Sequence, residues 1–275
     1  MDSIVSLEWL YQHLQDSSLV IIDSRFDLSD PSSGEKAYHT GHIPGAVYFD
    51  LERDLSSPVQ EHGGRHPLPD LKQLAEKLGQ AGIDQTTQVV VYDDQGGMFA
   101  PRLWWLLNYL GHDKVAVLDE GYSAWVEKGY PTTQDIPEPK AKAFKVNIQE
   151  DWTRTVEEIK ALDGEPLIDS RSPDRFRGEN ETMDPKAGHI PGASNLFWQD
   201  NLDGKKWLSP EQLKARFEAL KAAESVTVYC GSGVTACANI LAMKRAGLKN
   251  VKLYPGSWSD WVSYPDNPVE TKVTP

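Results

Sequence analysis

The sequence predicts an α/β fold in which two copies of one domain follow each other, each a parallel sheet flanked by helices. Short runs rich in β-branched residues alternate with helical patterns in both halves, as is typical of parallel sheets covered by helices. Segments of the first half also return in the second half in the same order. A chain of 275 residues is long enough to give each copy a hydrophobic core of its own.

The internal repeat rests on three pairs of segments, each with the first-half copy before its second-half counterpart: 19–25 and 166–171, 41–46 and 188–193, 89–93 and 226–230. The second pair reads GHIPGA in both copies. A feature that both copies retain is explained more simply by the scaffold than by chemistry. We therefore predict that His42 and His189, in these turns, are structural residues.

Local patterns place the elements of the second half. Two strands are predicted there, at 166–169 and 226–229. The run 209–223 is predicted to be an amphipathic helix, with Ser209 as its N-cap and Pro210 at its first position. A second helix is predicted over 235–246, where Gly247 ends it.

A Pro-rich stretch separates the two copies. Residues 130–143 (YPTTQDIPEPKAKA) have no apolar period and carry mixed charge, which is typical of a linker. We therefore predict an N-terminal domain at 1–135, a linker at 136–148 and a C-terminal domain at 149–275.

The composition excludes several classes of function. A formal net charge of −13 and a pI near 5.0, without a run of Lys or Arg, argue against binding to nucleic acid or membranes. Because the chain has no long apolar run and no basic leader at its start, a cytoplasmic location is expected. Two Cys are too few for a disulfide framework or a zinc ribbon, so no metal site is expected.

The two copies differ most clearly after the Val-rich strand. The first copy has Asp93 at this point, whereas the second has Cys230 followed by a Gly-rich turn and a helix. Backbone amides of such a turn and the positive end of the helix favour a thiolate over a thiol. Cys230 is therefore the candidate nucleophile, and the alternative is an inert Cys packed as a small apolar residue.

Two neighbouring positions limit the chemistry. Cys237 lies about 10 Å further along the predicted helix, which is beyond disulfide reach, so it is predicted to be a core residue. A Cys-dependent phosphatase would need an Arg six positions after its nucleophile to bind a phosphate dianion. Position 236 is Ala, which disfavours a phosphatase.

The paired GHIPGA turns, the strand–Cys loop and the stretch GSWSDW at 256–261 resemble the tandem-domain rhodanese-fold sulfurtransferases across nearly the whole chain. The resemblance implies two tandem rhodanese-like domains, of which the N-terminal one is catalytically silent. It also implies an active-site loop that consists of Cys230, Gly231, Ser232, Gly233, Val234, Thr235 and Ala236. This CGSGVTA loop is similar to that of members that use 3-mercaptopyruvate, whereas thiosulfate-specific members have Arg and Lys after the Cys.

The resemblance also implies a mechanism without a cofactor. Cys230 would take a sulfur atom from an anionic donor as a persulfide and pass it to a second nucleophile. Ser232 would be the second catalytic residue, donating a hydrogen bond to the donor sulfur or leaving group. The acceptor would be a thiol or cyanide, with thioredoxin as one candidate.

Cations and first-half residues complete the candidate site. By resemblance Arg175 would bind the donor anion, and Arg171 and Arg177 are weaker candidates, with pairing to nearby acidic residues as the alternative for all three. Relatives usually carry a second Arg before the second GHIPG turn, but 178–187 holds only Lys186 as a cation. Glu52, at the end of a FDLE stretch, and His66 are the candidates from the first half.

Three functions therefore remain open. The preferred one is sulfur transfer from 3-mercaptopyruvate, because the neutral Gly-Ser loop lacks the cations that thiosulfate favours. The second is transfer from thiosulfate by the same persulfide chemistry. The third is a non-catalytic module that carries a persulfide or thiol and interacts with a partner.

Overall fold

The computed structural model describes residues 2–271, which form two compact units. The first unit consists of the chain up to Ser57, of Leu68–Gln149 and of Gly204–Trp207, and the second contains the remainder. The predicted boundaries at 135/136 and 148/149 assign 58–67 to the N-terminal domain and 204–207 to the C-terminal one. The structure instead places each of these short segments in the other unit.

The first unit has a five-stranded parallel sheet. Its strands are β1 Ile4–Val5, β2 Leu19–Asp23, β3 Val47–Tyr48, β4 Gln88–Tyr92 and β5 Val115–Leu118, in the order β1-β5-β4-β2-β3. Its helices are α1 Leu7–His13, α2 Ser33–Thr40, α3 Leu71–Gln80, α4 Ala100–Tyr109 and α5 Gly121–Glu127. Val89, Val90 and Val91 of β4 are fully buried, as expected for a strand covered on both faces.

The second unit has a four-stranded parallel sheet with equivalent connections. Its strands are β6 Leu167–Asp169, β7 Ser194–Asn195, β10 Val226–Tyr229 and β11 Val251–Leu253, in the order β11-β10-β6-β7. Two short strands lie between them in the chain, β8 Leu202–Asp203 and β9 Lys206–Trp207. The helices are α6 Val156–Lys160, α7 Pro173–Phe176, α8 Pro210–Arg216, α9 Ala236–Arg245 and α10 Ser257–Trp261, with 3₁₀ turns at Glu150–Trp152, Trp198–Asn201 and Glu218–Leu220.

The predicted helices of the second half form, and one of them is shorter than predicted. Ser209 caps α8 through a capping box with Gln212, and Pro210 is its first residue. The helix ends at Arg216 rather than 223, because the fully buried Phe217 departs from helical geometry and a 3₁₀ turn follows. Helix α9 agrees with its prediction to within one residue at each end.

The linker follows the surface of the first unit. Thr133 forms an antiparallel bridge with His42, and the amide of Lys142 donates to the Gly79 carbonyl at 2.9 Å. The amide of Asn147 likewise donates to the Leu110 carbonyl at 2.9 Å. The segment 136–148 is thus held by backbone hydrogen bonds to the first unit.

The two GHIPGA histidines are built into their turns. His42 is fully buried, and its Nδ1 lies 2.8 Å from the Tyr38 carbonyl oxygen. In the second unit, Nδ1 of His189 lies 2.7 Å from the Phe176 carbonyl oxygen, and each ring stacks on the aromatic ring of its partner. These contacts agree with the prediction that both histidines are structural.

No helix among residues 2–271 is long and apolar enough to cross a membrane.

Candidate active site

Cys230 directly follows strand β10 and lies in a loop whose backbone is hydrogen-bonded to α10. Its amide donates to Ser257 Oγ at 3.1 Å, and its carbonyl accepts from the Trp258 amide at 3.0 Å. The Gly231 carbonyl accepts from the Ser259 amide at 2.9 Å. These three hydrogen bonds with α10 fix the backbone at Cys230 and Gly231.

Two glycines of the loop lie in close contact with their surroundings. Gly233 has φ +77°, and a Cβ there would lie 2.3 Å from the Pro255 carbonyl oxygen. A Cβ on Gly231 would lie 3.0 Å from a terminal nitrogen of Arg65. The loop therefore needs glycine at 233 for its backbone conformation, and at Gly231 the absence of a side chain leaves room for the Arg65 guanidinium.

The segment 58–67, from the first half of the sequence, is fastened to the second unit beside this loop. The Gly63 amide donates to Asp260 Oδ1 at 2.7 Å, and the Arg65 amide donates to Ser259 Oγ at 3.1 Å. Between them Gly64 has φ +81°, and a Cβ there would lie 2.4 Å from the Gly256 carbonyl oxygen. These contacts place the residues that follow Gly64 beside the Cys230 loop.

His66 and Ser232 are brought together by this segment. Nδ1 of His66 lies 2.8 Å from Ser232 Oγ, and both side chains are buried. A histidine that accepts a hydroxyl proton makes the serine a better proton relay to a group bound beside it. Both residues were candidates from the sequence, and the structure joins them although 166 positions separate them.

Arg175 lies near the loop but is already paired. Its Nε and Nη2 donate to Glu181 at 2.8–3.1 Å, and Nη2 also lies 3.2 Å from Asp184 Oδ2. Arg65 binds the other oxygen of Asp184. Burial raises the pKa of the Asp184 carboxyl even though Arg65 favours its charge, so this acid lies in a desolvated place between two cations.

Arg171 has a different role from Arg175. It forms a buried ion pair with Asp169 at 2.7 Å and donates to the Gly188 carbonyl at 2.7 Å. Arg25 makes the same contacts in the first unit, with Asp23 at 2.6 Å and with the Gly41 carbonyl at 2.8 Å. Burial opposes the charge of Arg171, but Asp169 outweighs it and raises the pKa of the guanidinium. Because both copies retain the pair, it belongs to the scaffold.

The two remaining candidates lie on the surface. Arg177 pairs with Glu179 at 2.7 Å, and both side chains are largely exposed. Glu52 belongs to the first unit, is exposed, and its amide donates to Asp50 Oδ1 at 2.9 Å. The role that the resemblance implies for Glu52 remains a prediction.

The sequence reasoning missed Arg65, Glu181 and Asp184. In 178–187 the expected feature was a second cation, whereas the residues of that segment that matter are the acids that hold Arg175. Arg65 had one available signal, which was its position next to the candidate His66. Among residues 2–271, no group of three or more potential ligands is arranged to hold a metal ion.

Comparison with known proteins decides the family. The Rhodanese-like domain model matches the chain twice, at residues 6–128 and 155–264. The chain belongs to the rhodanese family. This finding confirms the predicted fold class of two tandem rhodanese-like domains and the resemblance on which it rested.

Relatives and solved structures of this rhodanese cover nearly the whole chain. It is 45% identical to the "Probable 3-mercaptopyruvate sulfurtransferase" of Pseudomonas aeruginosa, over 98% of each chain. It is 33% identical to the "Thiosulfate sulfurtransferase" of Cricetulus griseus, over 99% of this chain and 95% of that one. The crystal structure of SseA from Escherichia coli, described as a 3-mercaptopyruvate sulfotransferase, matches with a TM-score of 0.79 and 31% identity over 94% of this chain and all (100%) of that one.

Proposed function

We propose that this rhodanese is a sulfurtransferase that takes sulfane sulfur from 3-mercaptopyruvate and carries it on Cys230. The observation that carries the proposal is the 2.8 Å hydrogen-bond contact between His66 and Ser232, two residues beyond Cys230. It supplies a proton relay next to a candidate nucleophile. Relatives named as 3-mercaptopyruvate sulfurtransferases support the donor class.

Cys230 lies at the start of a loop that leads into a helix N-terminus. The five loop residues 231–235 connect Cys230 to α9, a helix of ten residues. Partial positive charge at a helix start and along successive amides stabilises a sulfur anion. We therefore assign the role of nucleophile to Cys230, which is almost fully buried.

In the first half-reaction the Cys230 thiolate attacks the sulfur of 3-mercaptopyruvate. The new S–S bond forms as the C–S bond breaks, and the electron pair of that bond leaves with the carbon as the enolate of pyruvate. The enolate takes up a proton to give pyruvate, and the proton comes from the Ser232–His66 relay. Arg175 would bind the carboxylate of the donor.

In the second half-reaction an acceptor thiolate or cyanide attacks the outer sulfur. The S–S bond breaks and its electron pair returns to Cys230, which leaves as a thiolate, so the kinetics are ping-pong. We propose a cytoplasmic location and thioredoxin as a candidate acceptor. The first unit would be catalytically silent, because Asp93 has the place of Cys230.

Thiosulfate is the second candidate donor. The relative named thiosulfate sulfurtransferase favours it, since its identity of 33% extends over nearly the whole chain. The loop itself argues for 3-mercaptopyruvate, because Gly231 and Ser232 add no cation beside the sulfur. A donor dianion would also meet the acids Glu181 and Asp184 next to Arg175.

The test measures thiocyanate formation from cyanide with each donor, for wild type, Cys230→Ser and Cys237→Ser. We expect a higher kcat/KM with 3-mercaptopyruvate, complete loss in Cys230→Ser and nearly full activity in Cys237→Ser. Cys237 is a matched control, because it is fully buried in α9 and its thiol donates to the Gly233 carbonyl at 3.4 Å. Equal or higher efficiency with thiosulfate would overturn the donor assignment, and no turnover with either donor would favour the non-catalytic module.

A further inference from the structure

Helix α10 carries an acid that the first copy lacks at the equivalent position. Trp125 and Trp261 are equivalent, since the ring nitrogen of each donates at 2.8 Å to a proline carbonyl six or seven residues later. The residue before Trp261 is Asp260, whereas the residue before Trp125 is Ala124. Asp260 thus distinguishes the two copies, as Cys230 does, which makes it a candidate for a role in the site.

Both oxygens of the Asp260 carboxylate accept a hydrogen bond. Oδ1 accepts from the Gly63 amide at 2.7 Å, and Oδ2 accepts from the Tyr254 hydroxyl at 2.6 Å. Both side chains are buried, and burial beside this carboxylate raises the pKa of Tyr254, so its hydroxyl stays protonated and continues to donate. Tyr254 therefore fixes the carboxylate in the orientation in which it binds Gly63.

Two hydrogen bonds to α10 precede His66 in the chain. The Gly63 amide donates to the Asp260 carboxylate at 2.7 Å, and the Arg65 amide donates to the Ser259 hydroxyl at 3.1 Å. A hydrogen bond to a carboxylate is charge-assisted and therefore stronger than one to a neutral hydroxyl. Because Gly63 lies only three residues before His66, the Asp260 contact is the stronger constraint on where the His66 ring lies.

We propose that Asp260 is a positioning residue that holds His66 against Ser232 through its contact with Gly63. This inference rests on the proposed function and deepens it, because it names the group that aligns the proton relay. His66 Nδ1 and Ser232 Oγ lie 2.8 Å apart although 166 positions separate the residues, so their contact depends on how firmly the segment that carries His66 is bound. A relay tolerates little misalignment, since a displacement of about 1 Å can cost about 100-fold in rate.

The ¹⁵N chemical shift of His66 Nδ1 reports the contact with Ser232 without any turnover, because it depends on the hydrogen bond and the proton of that ring nitrogen. Ser232→Ala removes the contact directly and supplies the reference value. We expect Asp260→Ala to move the His66 signal most of the way to that reference. Asp260→Asn should keep the wild-type signal, since its Oδ1 still accepts from Gly63 and its Nδ2 donates to the Tyr254 oxygen.

The matched control is Thr227→Val in strand β10. Thr227 is fully buried, and its hydroxyl donates to the Glu165 carboxylate at 2.6 Å, so this variant also removes a buried hydrogen bond to a carboxylate. Its His66 signal should remain that of wild type. An equal movement of the signal in the control would show a general loss of packing and would overturn the proposal.

An unchanged His66 signal in folded Asp260→Ala would also overturn the proposal. If Asp260→Ala does not fold, Tyr254→Phe takes its place, because it removes the hydroxyl that orients the carboxylate. The proposal then requires the His66 signal to move part of the way to the reference, and an unchanged signal refutes it equally.

Steady-state kinetics separate positioning from a merely structural role. Asp260→Ala should lower kcat with 3-mercaptopyruvate by about 10-fold. In a His66→Ala background the same change should lower kcat by less than about 2-fold, because Asp260 acts through His66. An equal fall in both backgrounds would overturn the positioning role.

The two readouts also distinguish this inference from the proposed function. If wild type turns over neither donor, the proposed function is refuted, and the His66 signal still decides whether Asp260 positions the ring. An unchanged kcat in a variant whose His66 signal has moved would refute the proton relay and leave the positioning role in place.

Discussion

In the first unit the residue after strand β4 is Asp93, and in the second unit the residue after β10 is Cys230. Both strands occupy the same place, between neighbours that are equivalent in the two sheets. Asp93 is buried, and its two oxygens accept from the amides of Gln95, Gly97, Phe99 and Ala100 at 2.8–3.1 Å. Burial raises the pKa of Asp93, and these four amides counter that rise.

The two loops differ in the side chain that directly follows the strand. In the first unit a carboxylate fixed to the chain occupies the ring of amides, so no other anion can enter it. In the second unit the same position carries the sulfur atom of Cys230 in place of a carboxylate. The loop of the first unit thus shows how backbone amides at this position bind a negative charge. It supports the proposal that only the second unit reacts.

The largest expected effect concerns the buried Arg–Asp ion pair that both copies contain. Arg25→Met and Arg171→Met each leave a buried aspartate without its partner, so each should lower the free energy of unfolding by about 3–5 kcal/mol. Urea denaturation of the two variants checks this. Similar losses support a common structural role, whereas a stable Arg171→Met that has lost activity would make Arg171 part of the site.

The next effect concerns the residue that follows the strand, which is Asp93 in the first unit and Cys230 in the second. Asp93→Ala leaves four amides without their acceptor, three of them buried, so the free energy of unfolding should fall by about 3 kcal/mol. The matched variant Cys230→Ala removes only a small side chain and should cost about 1 kcal/mol. Thermal denaturation of both variants provides the measurement, and equal losses would contradict the assignment of the first loop as an occupied anion site.

The smallest of these effects concerns the proposed proton relay of Ser232 and His66. We expect Ser232→Ala and His66→Ala each to reduce kcat with 3-mercaptopyruvate by about 100-fold, the lower range for general acid–base catalysis. Because the two side chains act through one hydrogen bond, the double variant should lose little more than either single one. Losses that multiply would show that His66 and Ser232 act independently.

Local patterns were sufficient to predict the fold and to single out a candidate nucleophile. The runs at 89–93 and 226–230 became β4 and β10 with the residue that follows each, and Ser209 and Pro210 became the start of α8. Such features depend on near neighbours in the chain, because periodicity, caps and turns act over a few residues. The end of α8 was less predictable, since burial of Phe217 decided it.

The site was predictable only in part. Ser232 follows from the loop sequence, but its contact with His66 joins positions 166 residues apart, and the pair of Arg65 with Asp184 joins positions 119 apart. No local period connects such residues. They meet because the segment 58–67 leaves the first unit and binds the second, and the boundary prediction had no signal for that exchange.

The sequence by itself therefore determined the duplication, the two parallel sheets and the choice of Cys230 as the candidate nucleophile. Each of these rests on short-range patterns that can be compared between the two copies. Tertiary structure alone decided which side chains surround Cys230. It assigned Arg171 to the scaffold, surrounded Arg175 with acids and brought Arg65 to Gly231. The physical reason is that charge pairing and close backbone approach depend on distance in three dimensions. That distance is decided by how segments far apart in the chain pack against each other.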